Sequence, residues 1–337
     1  MKISPRINPK ILFITFFLIV FIIAANAIFL QPRNCTIFTA VQGETVLYGN
    51  NEDSHFKDLV IGIFPPTVNG FGSFHFGSRR SDGSVVFEGA VNDQGLSWDI
   101  NSTPKAKMNP HPEKPYYLGA ENFLTKMTKE VASVEEAIQL AKTYSFGESF
   151  GGQIHIADRT GDAVVISGGL DGEIAFTRKN PDDGYLLSTN FNRATDKGPV
   201  DFRWEAASEM LDALGSGTIL TPTYAGDILE AVHLYTLTTY TLYSNIIDLE
   251  NNKVYLFYMS QYDEMAEIDM QEAFSKGERV VDMRDFFSPE TVETGDAAYQ
   301  RFENRFTAFK VGAVAAGVLL LVGATILIIR FVRKRKH

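Results

Sequence analysis

Two long apolar runs, one near each end of the chain, constrain its fold more than any other feature. Ile11–Leu30 spans 20 residues and Val311–Ile329 spans 19, and neither contains a charged side chain. A helix of about 20 apolar residues crosses the ~30 Å hydrocarbon core of a bilayer. The water-soluble part of the chain is therefore expected between the two runs.

Basic residues flank both runs and predict the orientation of the chain. Three basic residues precede the first run, and five lie among residues 330–336 after the second. Because Lys and Arg remain on the cytoplasmic side, both ends are predicted inside, and the domain between them is predicted to be extracytoplasmic at the cell membrane. We expect a transmembrane helix over residues 311–330 and a basic cytoplasmic tail over residues 331–337. A buried core helix is the less favoured interpretation of the second run.

The first run has two interpretations. It ends in Ala25-Asn26-Ala27, small residues around a gap, which is the pattern that a signal peptidase accepts. The run is therefore either a cleaved signal peptide or an uncleaved anchor. We expect residues 1–34 to comprise this hydrophobic segment and a short pro-segment.

The charges of the chain are unevenly distributed. Ten of the 31 basic residues and none of the 41 acidic ones lie outside residues 35–308, so this part holds 21 bases against 41 acids, a net charge of −20. A polyanionic nucleic acid is an unsuitable partner for such a domain. We interpret the acidity as a solvated surface.

Short β runs and helical segments alternate between the two ends. Strand patterns dominate from Thr36 to Ile100, and a helical block follows at about Tyr117–Thr143, in which Ser133-Val-Glu-Glu136 is a capping-box signal. Further strand pairs are expected, the last of them Thr239–Asp248 and Lys253–Met259. This order predicts a layered α+β domain with sheets inside and helices outside, over residues 35–282. Residues 283–310 are expected to form a juxtamembrane stalk.

Several kinds of chemistry lack their sequence signals. The six histidines show no paired spacing typical of zinc hydrolases, and there is no phosphate-binding glycine loop and no GxSxG motif. We therefore expect no metal and no cofactor. Cys35 is the single cysteine of the chain, and it follows directly after the predicted removable segment.

The residues around and after Cys35 resemble a known enzyme family. Cys35-Thr-Ile-Phe-Thr-Ala40 with Val46-Leu-Tyr-Gly-Asn-Asn-Glu-Asp53 resembles the start of the N-terminal nucleophile (Ntn) hydrolases that act on linear amides. This family includes choloylglycine hydrolases, penicillin V acylases, acid ceramidase and N-acylethanolamine acid amidase. Asn92-Asp-Gln-Gly-Leu96 followed by Asn101, and Ser188-Thr-Asn190 followed by Arg203, are similar to later motifs of the family. The ordered matches cover about residues 35–262.

The resemblance implies a fold and a set of catalytic roles. The implied fold is a four-layer αββα Ntn-hydrolase sandwich, here with a C-terminal transmembrane helix. Cys35 would become the N-terminal nucleophile, its α-amine the base, and Asp53 the group that holds the amine. Asn101 and Asn190 would donate to the oxyanion, and Arg203 would stabilise the thiolate and the Asp53 carboxylate. The implied reaction is hydrolysis of a linear, non-peptide C–N bond in a small N-acyl amide through a thioester.

One departure and several alternatives accompany this prediction. The family usually has an arginine beside the nucleophile where this chain has Asn50, which cannot supply a charge. Two other functions are open: an acyltransferase of the isopenicillin N type, or a surface receptor that keeps the fold without activity. Taken singly, Cys35 also fits a small core residue, and Asn101 fits a glycan acceptor in Asn101-Ser-Thr103. The oligomeric state and the particular substrate are not indicated by the sequence.

Overall fold

The computed structural model describes residues 35–54, 57–195 and 201–334. These fall into two compact units, one extending to Tyr299 and the other beginning at Gln300. The predictions for residues 1–34 and for positions 335–337 of the basic tail lie outside the described residues.

Two antiparallel sheets form most of the first unit. The six-stranded sheet contains β1 (Thr36–Gln42), β2 (Thr45–Ser54), β10 (Tyr185–Ser188), β11 (Tyr240–Asp248), β12 (Lys253–Tyr258) and β13 (Gln261–Asp269), in the order β10-β1-β2-β11-β12-β13. The eight-stranded sheet contains β3 (Leu59–Phe64), β4 (Ser73–Arg79), β5 (Val85–Asn92), β6 (Ser97–Lys107), β7 (Ser149–Ala157), β8 (Ala163–Gly168), β9 (Ile174–Arg178) and β14 (Arg279–Asp282), in the order β14-β3-β4-β5-β6-β7-β8-β9.

Helices cover the outer faces of both sheets. The helices are α1 (Phe123–Glu130), α2 (Val134–Ala141), α3 (Phe202–Asp212), α4 (Pro222–Ala231), α5 (Met270–Ser275) and α6 (Pro289–Lys334), with short 3₁₀ turns at Ala213–Ser216 and Met283–Phe286. Apolar residues of α1 and α2 pack on the eight-stranded sheet around Trp98 and Ile154. Those of α3 and α4 pack on the six-stranded sheet around Phe38 and Ile246.

The inner faces of the two sheets meet through polar contacts as well as packing. The Thr39 side chain of β1 hydrogen-bonds His155 of β7, and Ser188 of β10 donates to Asn101 of β6. Helices outside and two facing sheets inside give four layers. The predicted αββα sandwich is therefore confirmed.

Local signals account for several element boundaries. Ser133 caps α2 by accepting from the Glu136 backbone N–H at 3.3 Å, as the capping-box signal predicts. The Glu136 carboxylate accepts at 2.8 Å from the N–H of Ala132, one residue before the cap. The turn between β7 and β8 is closed by Asp158, which accepts from the Thr160 N–H, and Gly161 adopts a φ of 82°. Such a φ favours glycine because it carries no Cβ.

The second unit contains the rest of α6. This helix begins at Pro289 and continues to Lys334, through the segments predicted as stalk and as transmembrane helix. An 18-residue window within it has a mean hydropathy of 2.1, and none of that window is buried in the structure. By length and composition, this helix is able to cross a membrane.

Candidate active site

Cys35 directly precedes β1, and its buried side chain lies next to the Glu52 carboxylate. Its Sγ donates to Glu52 Oε2 at 3.6 Å. Burial raises the pKa of the Cys35 thiol well above its usual value, and the negative charges of Glu52, Asp53 and Asp99 raise it further. The thiol is therefore held protonated, and using it as a nucleophile requires a base or a nearby cation.

Asp53 is fully buried on β2 and is held by the neighbouring strand. β11 pairs with β2 in a register that places Thr241 opposite Asp53, and the Thr241 hydroxyl donates to Asp53 Oδ1. The other oxygen, Oδ2, has no hydrogen-bond donor among the described residues and lies 3.7 Å from Arg203 Nη1. Burial raises the pKa of Asp53, and the Thr241 hydrogen bond and the Arg203 charge oppose this rise. Oδ2 is thus a buried acceptor able to receive a further donor.

The structure brings Asn101 and Arg203 to Cys35. Asn101 Nδ2 donates to the Cys35 carbonyl oxygen at 3.0 Å, and Arg203 Nη1 lies 3.4 Å from the same oxygen. Asn190 joins them by accepting from Arg203 Nη1 at 3.0 Å, while its own Nδ2 donates to the Ser102 carbonyl at 2.8 Å. All five residues predicted from the sequence therefore lie in one connected cluster.

The helix α3 holds the Arg203 guanidinium through a residue that sequence reasoning missed. Asp201 caps α3 by accepting from the Arg203 backbone N–H, and the same carboxylate accepts from Arg203 Nε at 3.2 Å and Nη2 at 2.7 Å. This two-point pairing fixes the plane of the guanidinium. An aspartate directly before a helix is a capping signal, so Asp201 was identifiable as a cap but not as a partner of the site.

Asn50 does not contact Cys35 through any described hydrogen bond. Its Nδ2 donates to Asp99 Oδ2 at 2.9 Å, and its buried Oδ1 has no donor among the described residues. An amide supplies a hydrogen bond but no charge. The positive charge of the described cluster therefore comes from Arg203, whereas Glu52, Asp99 and Thr241 were not predicted as members of it.

The described residues contain no group of three His, Cys, Asp or Glu side chains placed to hold a metal ion. The chemistry available in the cluster is that of a thiol, carboxylates, amide donors and a guanidinium. Such a set suits acyl transfer, because the thiol can attack a carbonyl carbon and the amide donors can stabilise the resulting oxyanion.

Comparisons with known proteins identify the fold. No family model and no curated protein sequence matches the chain. A cysteine-to-alanine variant of the conjugated bile acid hydrolase from Clostridium perfringens is similar with a TM-score of 0.54 and 16% identity, over 74% of this chain and 96% of that chain. An arginine-to-leucine variant of the same hydrolase has a TM-score of 0.56 with the same identity and coverage. Penicillin V acylase from Agrobacterium tumefaciens is 13% identical over 71% of this chain and 87% of that chain, with a TM-score of 0.49.

The likeness to the bile acid hydrolase establishes the fold class. This chain has the αββα sandwich fold of that hydrolase, and this architecture agrees with the fold that the sequence resemblance implies.

Proposed function

We propose that the chain is a membrane-anchored Ntn hydrolase that cleaves the linear C–N bond of a small N-acyl amide through a thioester on Cys35. The observation that carries this proposal is that Asn101 and Arg203 both meet the carbonyl oxygen of the one cysteine of the chain, with Asp53 beside Arg203. The similar Clostridium protein is a hydrolase of conjugated bile acids by its name, which favours amide hydrolysis as the reaction.

The proposed mechanism begins with removal of residues 1–34. The freed α-amine of Cys35 then lies on the same residue as the thiol, and its ordinary pKa of about 7.7–8.0 suits a base near neutrality. Asp53 Oδ2, which has no hydrogen-bond donor among the described residues, accepts from this amine. The amine takes the thiol proton, and the thiolate attacks the carbonyl carbon of the amide.

Collapse of the tetrahedral intermediate forms a thioester, and hydrolysis of the thioester completes the reaction. Asn101 and Asn190 each use one amide N–H on a backbone carbonyl, and the second N–H of each amide donates to the oxyanion. Losing one such donor typically lowers kcat about 10²–10³-fold. The α-ammonium returns its proton to the leaving nitrogen, so that an amine departs and a thioester remains on Cys35. Water then attacks the thioester and releases the acid.

We further propose that the catalytic domain is extracytoplasmic and that α6 anchors it. The basic residues at both ends of the chain and the apolar window of α6 support this orientation. A membrane-impermeant protease added to intact cells should digest the domain. Protection of the domain until the cells are permeabilised would contradict this orientation.

The decisive experiment assays the full chain in detergent against a panel of N-acyl amides, with Cys35→Ala as the matched control. We expect hydrolysis by the wild type only, release of one amine per acid, and a hydroxamate when hydroxylamine intercepts the thioester. Mass spectrometry of the active protein should show Cys35 at the N-terminus. Full activity in a protein that retains residues before Cys35 would exclude this mechanism.

Two further outcomes separate the alternatives. An added amine that diverts most of the acyl group from water would indicate an acyltransferase. A chain without turnover and without a Cys35 adduct from acylating probes would indicate a receptor.

A further inference from the structure

A hydrogen-bond network of buried polar side chains, which we call the His155 network, connects the interior of the sandwich to Asn101. His155 of β7 lies between Thr39 Oγ1, 2.9 Å from its Nε2, and Ser188 Oγ, 2.8 Å from its Nδ1. Ser188 Oγ in turn lies 2.8 Å from Asn101 Oδ1. All four side chains are fully buried. The sequence did not predict any of these contacts.

At the Asn101 end of the His155 network, groups that can only donate or only accept fix the direction of the hydrogen bonds. The Cys35 carbonyl can only accept, so Asn101 presents Nδ2 to it and keeps Oδ1 as an acceptor. Gln153 supports the same orientation: its Oε1 accepts from the Arg193 backbone N–H at 3.1 Å, so its Nε2 points towards Asn101 Oδ1 at 3.4 Å.

The direction then passes to His155. The single hydroxyl proton of Ser188 is used on Asn101 Oδ1, so Ser188 Oγ must accept from His155. His155 therefore carries its proton on Nδ1, and its Nε2 accepts from the Thr39 hydroxyl. Burial lowers the pKa of His155 to about 3, with a smaller contribution from the Arg193 charge, so the ring is neutral.

The ring itself is held firmly. Tyr48 packs edge-on against it with ring centroids 5.5 Å apart, and the Tyr48 hydroxyl donates to the His155 carbonyl oxygen at 3.2 Å. A fixed ring in one tautomer is what a hydrogen-bond relay requires, because each donor must meet a defined acceptor.

We propose that His155 is a positioning residue for the amidase reaction: its Nδ1–H commits the Ser188 proton to Asn101 Oδ1, which keeps Asn101 Nδ2 directed at the Cys35 carbonyl oxygen, next to the reacting thiol. This proposal rests on the proposed function. His155 does not touch the reacting atoms, and it acts only through Ser188. A histidine that merely filled the core would affect stability without affecting kcat separately.

Two substitutions of His155 separate these roles. H155N places an amide N–H near the position of Nδ1 and keeps the donor to Ser188, whereas H155Q reaches the position of Nε2 and loses that donor. We expect H155Q to lower kcat about tenfold with little change in KM, since one hydrogen bond is worth about 1.5 kcal/mol and this corresponds to about tenfold. H155N should retain kcat within about threefold.

A double-mutant cycle tests the route through Ser188. S188A should lower kcat as much as H155Q does, and H155Q should cause no further loss in the S188A background. The stability control is T128V, which removes a buried hydroxyl outside the His155 network. This hydroxyl accepts from Trp98 Nε1 at 2.7 Å. It should lower the melting temperature and leave kcat unchanged.

Three results would overturn the proposal: equal loss of kcat in H155N and H155Q, additive losses in the cycle, or wild-type kcat in a folded S188A protein. Failure of the proposed function itself looks different, because the wild type would then show no Cys35-dependent hydrolysis. If H155Q does not fold, S188A alone decides between the two roles.

Discussion

Replacement of Arg203 by methionine tests the ion pairs that hold the site together. The guanidinium donates to both Asp201 oxygens, at 3.2 and 2.7 Å, and lies 3.7 Å from Asp53 Oδ2. Methionine has a similar length but removes the cation beside the buried Asp53 carboxyl, so the ionised form of Asp53 has no positive partner. Breaking a buried pair in this way costs about 3–5 kcal/mol. Because whole domains are stable by only about 5–15 kcal/mol, R203M is expected to lose a large fraction of its stability.

The stability lost in R203M depends on pH because Asp53 titrates. Burial already raises the pKa of Asp53, and the Arg203 charge opposes the rise, so removing Arg203 raises this pKa further. A carboxyl with a raised folded-state pKa stabilises the fold fully below its unfolded pKa of about 3.9, and this contribution is lost as the pH rises through the folded-state pKa. The stability gap between wild type and R203M should therefore widen as the pH rises through the folded-state pKa of wild-type Asp53, and it should be larger at pH 8 than at pH 4.

Urea unfolding of the full chain in detergent, followed by tryptophan fluorescence at pH 4 and pH 8, measures this gap. Arg193→Met is the matched control. The Arg193 Cζ lies 4.7 Å from the centroid of the Trp204 ring, and its guanidinium makes no ion pair with a described carboxylate. It should cost about 1 kcal/mol at both pH values. A gap below about 1 kcal/mol for R203M, in the range of a surface ion pair, or a gap independent of pH would refute the reasoning.

Two further substitutions test the neighbours of Cys35. E52Q removes a negative charge 3.6 Å from Sγ, so the pKa of the thiol should fall; thiolate absorbance at 240 nm against a C35A baseline measures it, and an unchanged titration would contradict the assigned cause. T241V removes the donor to Asp53 Oδ1, which should raise the pKa of Asp53 and move the acidic limb of the kcat/KM profile to higher pH. An acidic limb that stays in place would mean that Asp53 does not control it.

The sequence predicts the inner strands and the helices of this fold better than the edge strands of its two sheets. Alternating apolar residues and the cap at Ser133 identify the inner strands and α2, because burial on one face leaves a clear period. The strand Gln261–Asp269 was missed, since it is an edge strand with half-exposed and acidic residues that read as polar. The strand Arg279–Asp282 is too short to show a period.

Site residues that belong to a sequence motif could be predicted. Those that reach the site only through the pairing of two strands could not. Cys35 and Asp53 stand out by position and by family resemblance. Thr241 reaches Asp53 only through the pairing of β11 with β2, which no local pattern reveals. Glu52 was missed because strict alternation places neighbouring strand residues on opposite faces. The pairing of β11 with β2 also shifts register between Thr241 and Tyr243, opposite Asp53 and Glu52, and no local sequence pattern reveals such a bulge.

The surroundings of Cys35 also explain how its reactivity would depend on removal of residues 1–34. Glu52, Asp53 and Asp99 all disfavour the thiolate, and Asn50 offers Asp99 a hydrogen bond in place of the charge that an arginine would supply. As long as the nitrogen of Cys35 is part of a peptide bond, it is neither a base nor a cation. On the proposed mechanism, cleavage creates an amine that takes the thiol proton and becomes a cation on the same residue. A positive charge so close favours the thiolate, and because Asn50 supplies no charge of its own, nucleophile activation depends on this processing.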